Sequence, residues 1–546
     1  MMRRVIVLIG VLIPLVAGAQ SPGTVVGTTY MDMQSMGSTG NRVTIAENRS
    51  VYFTWTNVLT NNNRPRYVYF NFVDSSGTWF SPGLGDRIFD DSATGFCQIA
   101  ADSGDHAVVA AFAVNGNHSI LASSVGYGIF RIYDIPDTLS QNRFSLWPFI
   151  TVDQSNRVHV VMTEMPSINH GRSLCYANAV LDSGRWWPSQ SGPLVFDLVY
   201  NVSAVVAASP VSNKVVIAYC GPADPGNISN SDIYYILSED GRSWDFVNGK
   251  VNITNYNSDN DSLWAHSDLD VIFDYNDDFH IIWNANWSSN AHPFYDRTYL
   301  FHYCSLQHTI NQIRTPWPES SWVGGCDYGI GNKAICKMNM GVRPFDNAIY
   351  AIWTQFDTSD CSAAGYANGD IWISYSNDGG IGWSQPRNLT NSHTPGCFAG
   401  ECDSDNWGSL ADVVDSKLHL FYLNDKDAGS VVYYEGSATL NPMLYYSEYS
   451  DIDVKNQVAR NFSLGQNYPN PFNASTYINF ELEQTSKVKL EIYNISGQKI
   501  TTLIDQHLQM GQYRICWNAK NAVSGVYYYK IISDGKSQTK KMVLIK

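Results

Sequence analysis

Polar side chains follow several apolar strand patterns of this sequence at the same recurring position. Amides and carboxylates at strand ends can hydrogen-bond sugar hydroxyls or coordinate a cation, and a carboxyl group can also transfer protons. Glu164 stands directly at a strand end, so it is the candidate general acid or base; the alternative is a solvated loop residue. The candidate ligand-binding residues are Asn57, Glu164, Asn284, Asn286, Gln355, Asp357, Asn424 and Asp425.

These residues share a site only if the strands before them repeat in space. One phrase does recur along the chain: a strand, a polar turn, and a second strand that ends in an aromatic or other large apolar residue. A second hairpin follows each copy, which gives four strands per unit. The copies are VTIAENRSVYFTW (43–55), QIAADSGDHAVVAAF (98–112), ITVDQSNRVHVVM (150–162), VVAASPVSNKVVIAY (205–219), DVIFDYNDDFHIIW (270–283), GVRPFDNAIYAIW (341–353) and ADVVDSKLHLFY (411–422).

The repeats predict an all-β fold, with a seven-bladed β-propeller over residues 24–455, because radial repetition buries each sheet against its neighbours. Six blades are the alternative, since the second and seventh copies are degenerate, and two stacked sandwiches are the competing architecture. Residues 24–34 could supply the outer strand of the last blade. We letter the strands of a blade A to D outward from the centre, and expect the ligand face to carry the B–C and D–A loops.

Two of the second hairpins contain a sharper motif. It comprises Ser238, Asp240, Gly241 and Trp244 in one unit, and Ser376, Asp378, Gly380 and Trp383 in another. Serine and aspartate can bond turn amides, glycine supplies a positive φ, and tryptophan can fix the hairpin to the blade. The motif resembles the Asp-box of sialidases and other secreted propellers. That resemblance implies a structural turn and a sialidase-like architecture.

A sialidase-like site would also need three arginines, a tyrosine nucleophile with a glutamate base, and an aspartate acid. The nearest match to the family's Arg-Ile-Pro motif is Phe130-Arg131-Ile132-Tyr133, which lacks the proline. The sequence therefore favours a protein that binds glycans or other extracellular polymers. A sialidase-like glycoside hydrolase and a structural surface protein are the alternatives.

The last eighty or so residues have their own pattern of short alternating strands and turns, which predicts a small β-sandwich. It opens with the motif Asn467, Tyr468, Pro469, Asn470, Pro471, Phe472 and Asn473 and closes with KKMVLIK (540–546). Together with IYNISGQ (492–498), these segments resemble the type A C-terminal sorting domain of the type IX secretion system. The resemblance covers residues 462–546 after a linker at 456–461. It implies the secretion machinery as a partner and export across the outer membrane, followed by surface attachment or release.

The N-terminus and the charge balance agree with export. Residues 1–19 combine two arginines, an apolar run and an Ala-Gly-Ala cleavage site, which is typical of a signal peptide. No later segment is long and apolar enough for a membrane span, so we expect none in the mature chain. A formal net charge of −15 without basic clusters argues against nucleic acid or an anionic membrane as a partner.

Four loop cysteines and two acidic pairs are the remaining candidates for cross-links and metal binding. Cys326, Cys361, Cys397 and Cys402 lie in irregular stretches that the blade assignment places on one face, so we expect two disulfides among them. The preferred pairing joins Cys361 to Cys397 or Cys402 and Cys326 to the other. No cofactor or metal site is predicted; Ca²⁺ at the pairs Asp259/Asp261 or Asp403/Asp405 is a weak option because neither has EF-hand spacing.

Overall fold

The computed structural model describes residues 21–450 and 462–546 apart from several short stretches. The predicted signal peptide, the linker at 456–461 and the acidic pair Asp259/Asp261 lie outside the described residues. The stretches left out within the two ranges are 62–64, 90–92, 114–117, 127, 140–142, 166–170, 182–184, 189–191, 225–226, 257–261, 290–291, 316–324, 483–484 and 534–535. Among the described residues, no helix is long and apolar enough to cross a membrane.

The fold is all-β. Up to residue 450, the described strands form seven antiparallel groups in which A, B and C follow one another along the chain. The A strands are β2 (Val43–Ile45), β6 (Thr94–Ala101), β10 (Ser145–Val152), β15 (Ala204–Ala208), β19 (Ser262–Phe273), β23 (Ile335–Val342) and β27 (Ser404–Leu410). The B strands are β3 (Val51–Val58), β7 (Ala107–Ala113), β11 (Arg157–Glu164), β16 (Val215–Asp224), β20 (Phe279–Ser289), β24 (Ile349–Cys361) and β28 (Lys417–Asp425).

The outer strands are less regular. The C strands are β4 (Arg66–Val73), β8 (His118–Gly126), β12 (Arg172–Val180), β17 (Asn227–Ser238), β21 (His292–Cys304), β25 (Ala367–Ser376) and β29 (Asn441–Tyr449). The D strands are β5 (Asp86–Arg87), β9 (Ile129–Asp134), β13 (Arg185–Trp187) with β14 (Leu194–Val199), β18 (Val251–Asn252), β22 (Thr309–Arg314), β26 (Arg387–Asn388) and β1 (Thr24–Thr29). A single pair, Ser231 with Ala265, also links the fourth and fifth groups.

The D strand of the seventh group comes from the start of the chain. β1 pairs antiparallel with β29, so the first described strand completes the last group, in agreement with the expectation for residues 24–34. The second hairpin expected after the seventh repeat would begin with VVYYEG (431–436), but this stretch forms no strand: it contains a three-residue 3₁₀ turn, Val431–Tyr433. Residues 426–440 are therefore the connection between B and C of the seventh group.

Apolar side chains join each group to the next. Trp55 of the first group, for example, shares a core with Phe421 and Met443 of the seventh, and both Trp55 and Phe421 are fully buried. Separate cores join the first to the second group, the second to the third, and so on to the seventh. Because the last group packs on the first, both faces of every sheet are covered without a second layer.

Residues 462–546 have a core of their own between two sheets. One sheet contains β30 (Phe462–Leu464), β31 (Ser475–Leu482) and β34 (Gly511–Asn518). The other contains β32 (Ser486–Asn494), β33 (Lys499–Leu508), β35 (Gly525–Ser533) and β36 (Lys536–Leu544).

The proline-rich motif closes one end of this core. Phe472 is buried against Trp517, with ring centroids 5.5 Å apart, and its backbone bonds Val543 and Ile545. Asn467 donates its side-chain amide to the Thr476 hydroxyl over 2.9 Å. The motif therefore ties the beginning of the domain to its last strand.

Candidate functional site

A cavity of about 190 Å³ opens where the A strands and the D–A and B–C loops of several groups meet. Its polar lining comes from the third group, the fifth, the sixth, the seventh and the segment after β1. The polar and aromatic residues that line it are Asp32, Ser35, Arg172, Asn201, Ser267, Asp268, Asn332, Lys337, Asn406, Trp407, Asp425, Ser430 and Tyr433. The expected ligand face therefore contains a real concavity.

A repeated irregularity in the A strands places several of these side chains. The A–B register shifts at equivalent points of five groups, which marks a β-bulge in each. Phe96, Trp147, Lys337 and Trp407 occupy these bulges with φ between 52° and 55°. Left-handed backbone is rare for non-glycine residues, so the bulges redirect these large side chains away from strand alternation.

Lys337 is buried to 3% exposure in the bulge of β23. Its ammonium group donates to Asn406 Oδ1 over 3.0 Å and to Asn332 Oδ1, and it lies 4.1 Å from the centroid of the Trp407 ring. Burial lowers the pKa of Lys337, while nearby Asp268 and Asp32 act in the opposite direction. A cation held between amides and an aromatic ring can bind ligand oxygen atoms at a fixed position.

Asp268 supports the lysine from the fifth group. Its Oδ2 atom accepts bonds from Asn284 Nδ2 over 3.0 Å and from the Lys337 backbone amide over 3.3 Å. Lys333 forms a buried ion pair with the same oxygen at 3.4 Å. These partners hold Asp268 in place at the cavity wall.

Asp32 and Asp425 are two further buried carboxyl groups in the lining, at 5% and 4% exposure. Asp32 Oδ2 accepts the Val431 amide over 2.7 Å, and Asp425 Oδ1 accepts the Asp427 amide over 3.2 Å. Burial raises the pKa of Asp32, and burial together with repulsion from Asp32 raises the pKa of Asp425 well above its ordinary value. Two buried carboxyl groups with raised pKa values can serve as proton donors to a ligand.

Two buried polar atoms of this lining, Asp32 Oδ1 and Ser430 Oγ, form no well-aligned hydrogen bond among the described residues, although the Ser430 hydroxyl lies close enough to Asp32 to lower its pKa against the larger effect of burial. Arg172 Nη1 is a third such atom, on a half-buried guanidinium group that lies 5.7 Å from the centroid of the Trp147 ring. Unsatisfied buried polar groups are costly, and a ligand hydroxyl can satisfy them.

Of the residues expected at strand ends, Asp425 lines this cavity. Asn284 lies one layer behind it, bonded to Asp268. Glu164 is occupied elsewhere: at 2% exposure it accepts Arg143 Nη1 over 2.8 Å and the Ser173 amide over 2.9 Å. Glu164 therefore does not line the cavity, and Arg143 and Ser173 hold its carboxylate elsewhere.

The remaining expected residues bond within their own surroundings. Gln355 Oε1 accepts from Arg314 over 3.4 Å, and Asp357 accepts the amide and hydroxyl of Ser359. Asn286 donates to Thr298 over 3.0 Å, Asn424 donates to Asp405 over 2.8 Å, and Asn57 is buried on β3. The structure does not bring these residues into the cavity.

Sequence reasoning missed Asp32, Asp268, Lys337, Arg172 and Trp407. One signal was available for Lys337: it is the single charged residue in the apolar run AICKMNM (334–340). A buried lysine needs partners, so its position in that run indicated a polar site.

The segment 30–42 after β1 crosses the space enclosed by the A strands. Ser38 bonds Ser267 and Leu269 of the fifth group, and the buried Arg42 bonds the Trp407 carbonyl of the seventh. A second cavity of about 420 Å³ lies beyond this segment and is lined by A strands of five groups, including Asp270 of β19, together with Asn41 and Asp412. Burial raises the pKa of Asp412 to about 7.

The two Ser-Asp-Gly-Trp turns lie at the other end of their C strands, away from the first cavity. Asp240 accepts the amides of Arg242 and Ser243, and these bonds lower the pKa of Asp240. In the second turn Asp378 Oδ1 accepts the Ser376 hydroxyl and the Gly382 amide. Positive φ values occur at Gly241, Gly379 and Gly380, and each tryptophan indole donates a hydrogen bond. Trp383 is half-buried, so its ring fixes the hairpin to the blade without being fully enclosed.

The structure contains two disulfides drawn from the four loop cysteines, but the preferred pairing was wrong. Cys326 is joined to Cys361, with Cα atoms 5.6 Å apart, and Cys397 to Cys402, with Cα atoms 5.0 Å apart. The reason is local: the backbone of Asp327 pairs with Tyr366 and brings Cys326 to Cys361, while residues 397–402 form their own turn.

Among the described residues, no group of three or more His, Cys, Asp or Glu side chains is arranged to hold a metal ion. Asp403 pairs with Lys426 over 2.5 Å, and Asp405 accepts bonds from Asn424 and Ser392. A protein cation and amide and hydroxyl donors therefore surround this acidic pair.

Several solved structures resemble this chain. The polysaccharide lyase Uly1 is 13% identical over 80% of this chain and 98% of its own, with a TM-score of 0.43. The α-L-arabinanase of Penicillium chrysogenum is 10% identical over 78% and 98%, with a TM-score of 0.38. PorZ, a surface component of the type IX secretion system of Porphyromonas gingivalis, is 10% identical over 92% and 81%, with a TM-score of 0.19.

No curated protein sequence gives a significant match to the chain. Residues 466–546, in contrast, match the family described as the secretion system C-terminal sorting domain. The chain is therefore exported through the type IX secretion system to the cell surface or the surroundings of the cell.

Proposed function

We propose that residues 24–455 form a seven-bladed β-propeller that binds carbohydrate in the cavity between Asp32, Lys337 and Asp425, and that residues 462–546 form a sorting sandwich. Seven groups of four or five strands with continuous cores between neighbours, and closure through β1, support the blade number. Export to the cell surface places the protein where extracellular polymers occur.

The observation that carries the binding proposal is the cavity lining itself. Buried carboxylates, amides, an ammonium group and the Trp407 ring converge on about 190 Å³, where Asp32 Oδ1 and Ser430 Oγ form no well-aligned hydrogen bond among the described residues. Sugars present hydroxyl groups around a ring with apolar C–H faces, so they match polar groups beside an aromatic ring. The volume lies below the roughly 300–1,000 Å³ of pockets for drug-sized ligands, which favours one sugar unit.

Glycoside hydrolysis is a second candidate, favoured by the pair Asp32 and Asp425. Burial raises the pKa of both carboxyl groups, and repulsion from Asp32 adds to the effect at Asp425, which favours a protonated acid in this pair. An acid and a base facing one ligand are the requirement for cleaving a glycosidic bond. The described residues that line the cavity include one arginine, Arg172, so this candidate does not use an arginine triad.

A glycan array with the full-length protein tests binding, and a reducing-end assay on each bound glycan tests hydrolysis. Lys337→Met and Asp425→Asn should each weaken binding at least tenfold, while Lys487→Met, at an exposed lysine of the sorting domain, should not. Binding that both cavity variants retain in full would contradict the proposed site. Reducing ends released by wild type but not by Asp425→Asn would support the hydrolase.

A further inference from the structure

The loop at 427–437 forms part of the cavity rim and carries two adjacent tyrosines. Tyr433 lines the cavity at 39% exposure, and Tyr434 projects into solvent at 97% exposure. Tyr434 has a φ of 64°, in the left-handed region that disfavours residues other than glycine and asparagine. The chain thus holds a large ring in water with an unfavourable backbone conformation, a combination that contributes nothing to packing.

The loop is fixed from several sides. Glu435 accepts the Ile330 amide on both carboxylate oxygens at 2.9 Å and the Ser430 amide at 3.2 Å. The backbone amides of Tyr433 and Tyr434 donate to Ser430 and Val431 over 3.0 and 3.2 Å. Val432 points the other way and packs on the apolar core. A rigid loop presents its rings with little entropy left to lose on binding.

The partner loop is fixed as well. Ile330 belongs to residues 326–333, which the Cys326–Cys361 disulfide and the Asp327–Tyr366 backbone pair attach to the sixth group. Glu435 therefore connects rim loops of the sixth and seventh groups. Ser430 lines the cavity beside this rim, and its hydroxyl lies near Asp32, so these two polar groups stand where the rim meets the cavity.

We propose that Tyr433 and Tyr434 form a stacking platform for the sugar units that follow the one held in the cavity. The inference rests on the proposed carbohydrate function and deepens it: the ligand is the end of an oligosaccharide or polysaccharide chain. The cavity accommodates about one unit, so the next units of a chain must cross the rim where these rings stand. Aromatic faces stack on the C–H faces of sugar rings by dispersion and by burial of apolar area.

The test uses the full-length protein and an oligosaccharide panel in which each glycan is present as every length from monosaccharide to hexasaccharide. Wild type should bind a tetrasaccharide at least tenfold more tightly than the matching monosaccharide. Tyr434→Gly removes the ring and relieves the positive φ, so the fold is kept; this variant should lose most of that length dependence and bind the monosaccharide as wild type does. Tyr434→Phe should retain it.

Tyr449→Ala is the matched control, because this exposed tyrosine lies at the other end of the seventh group beside Lys417. Equal affinities of wild type for all lengths, or unchanged length dependence in Tyr434→Gly, would overturn the platform and leave the proposed function standing. A wild-type protein that binds no glycan of any length would overturn the proposed function and the platform together.

Discussion

Buried charged side chains are the main feature of the candidate site. Asp425 could be predicted because it ends a B strand, β28, whose side chains alternate regularly between the two faces of the sheet. That alternation sets the position of the residue at the strand end. The orientation of Lys337 and Trp407 could not be predicted, because both occupy left-handed bulges, where period two fails; only the lone charge of Lys337 in its apolar run indicated a polar site. Glu164 met the same sequence criterion as Asp425, but the long-range partner Arg143 neutralises it, and no local pattern reveals that contact.

Asp412 makes stability depend on pH. Its pKa is raised from 3.8 to about 7 on folding, so the folded chain holds this proton more tightly than the unfolded chain. Its contribution to stability is therefore present below about pH 4 and is lost as pH rises towards 7. Asp412→Asn keeps an acceptor for Asn41 and should stabilise the protein more at pH 8 than at pH 5.

Urea unfolding at both pH values measures this difference, with Asp378→Asn as a control, since Asp378 lies in an exposed turn. An equal effect of Asp412→Asn at pH 5 and pH 8 would contradict the raised pKa of Asp412.

Trp383 tests the structural role of the second Ser-Asp-Gly-Trp turn. Its half-buried ring packs edge-on against His302 at 5.2 Å and bonds the Gly380 carbonyl over 3.1 Å. Trp383→Ala should cost about 2 kcal/mol, less than the roughly 3–5 kcal/mol expected of the fully buried Trp353→Ala. Thermal unfolding gives the stability loss of each variant. A Trp383→Ala protein of wild-type stability that has lost glycan binding would contradict the structural role of this turn.

At the scale of elements, loops are where prediction from the sequence was weakest. The strands of each group follow from apolar alternation, so their existence was predictable. VVYYEG looked like a strand because of its composition, but Gly429 and Glu435 fold it into a turn against the neighbouring loop. The disulfide pairing depended on which loops touch, and strand patterns carry no information on that.

The two disulfides should differ in their contributions. The Cys326–Cys361 bridge closes a loop with a sequence separation of 35, against 5 for Cys397–Cys402. Loop-closure entropy then predicts that Cys326→Ser with Cys361→Ser costs about 4 kcal/mol and that Cys397→Ser with Cys402→Ser costs about 2 kcal/mol.

Thermal unfolding of the two double variants shows which disulfide contributes more to stability. The Cys326→Ser, Cys361→Ser variant should also weaken glycan binding, because the lost disulfide anchors the loop whose Ile330 amide bonds Glu435. A larger stability loss from the short bridge would show that the rim loop is fixed by other contacts.

For the whole molecule, repetition made the architecture predictable. Seven copies of one phrase implied a closed array, and the early segment 24–34 offered the strand that closes it. The course of residues 30–42 across the central space was not predictable, because contacts such as Ser38 with Ser267 join residues more than two hundred positions apart. That segment supplies Asp32, so part of the site remained hidden for the same reason.

Export depends on the last domain. Deleting residues 462–546 should leave the protein in the periplasm, as fractionation and surface labelling of intact cells would show. A milder variant, Phe472→Ala, removes a buried ring from the sorting domain core and should reduce surface delivery. Surface labelling of the truncated protein at the wild-type level would contradict export through this domain.

The most direct measurement of the proposed function is a crystal structure of the full-length protein with a glycan that the array selects. We expect the terminal sugar unit between Asp32, Lys337 and Asp425, with a hydroxyl group within hydrogen-bond distance of Asp32 Oδ1, and the next unit over Tyr434. A glycan bound in the opposite cavity beside Asp270 and Asp412, or on the outer strands, would contradict the proposed site.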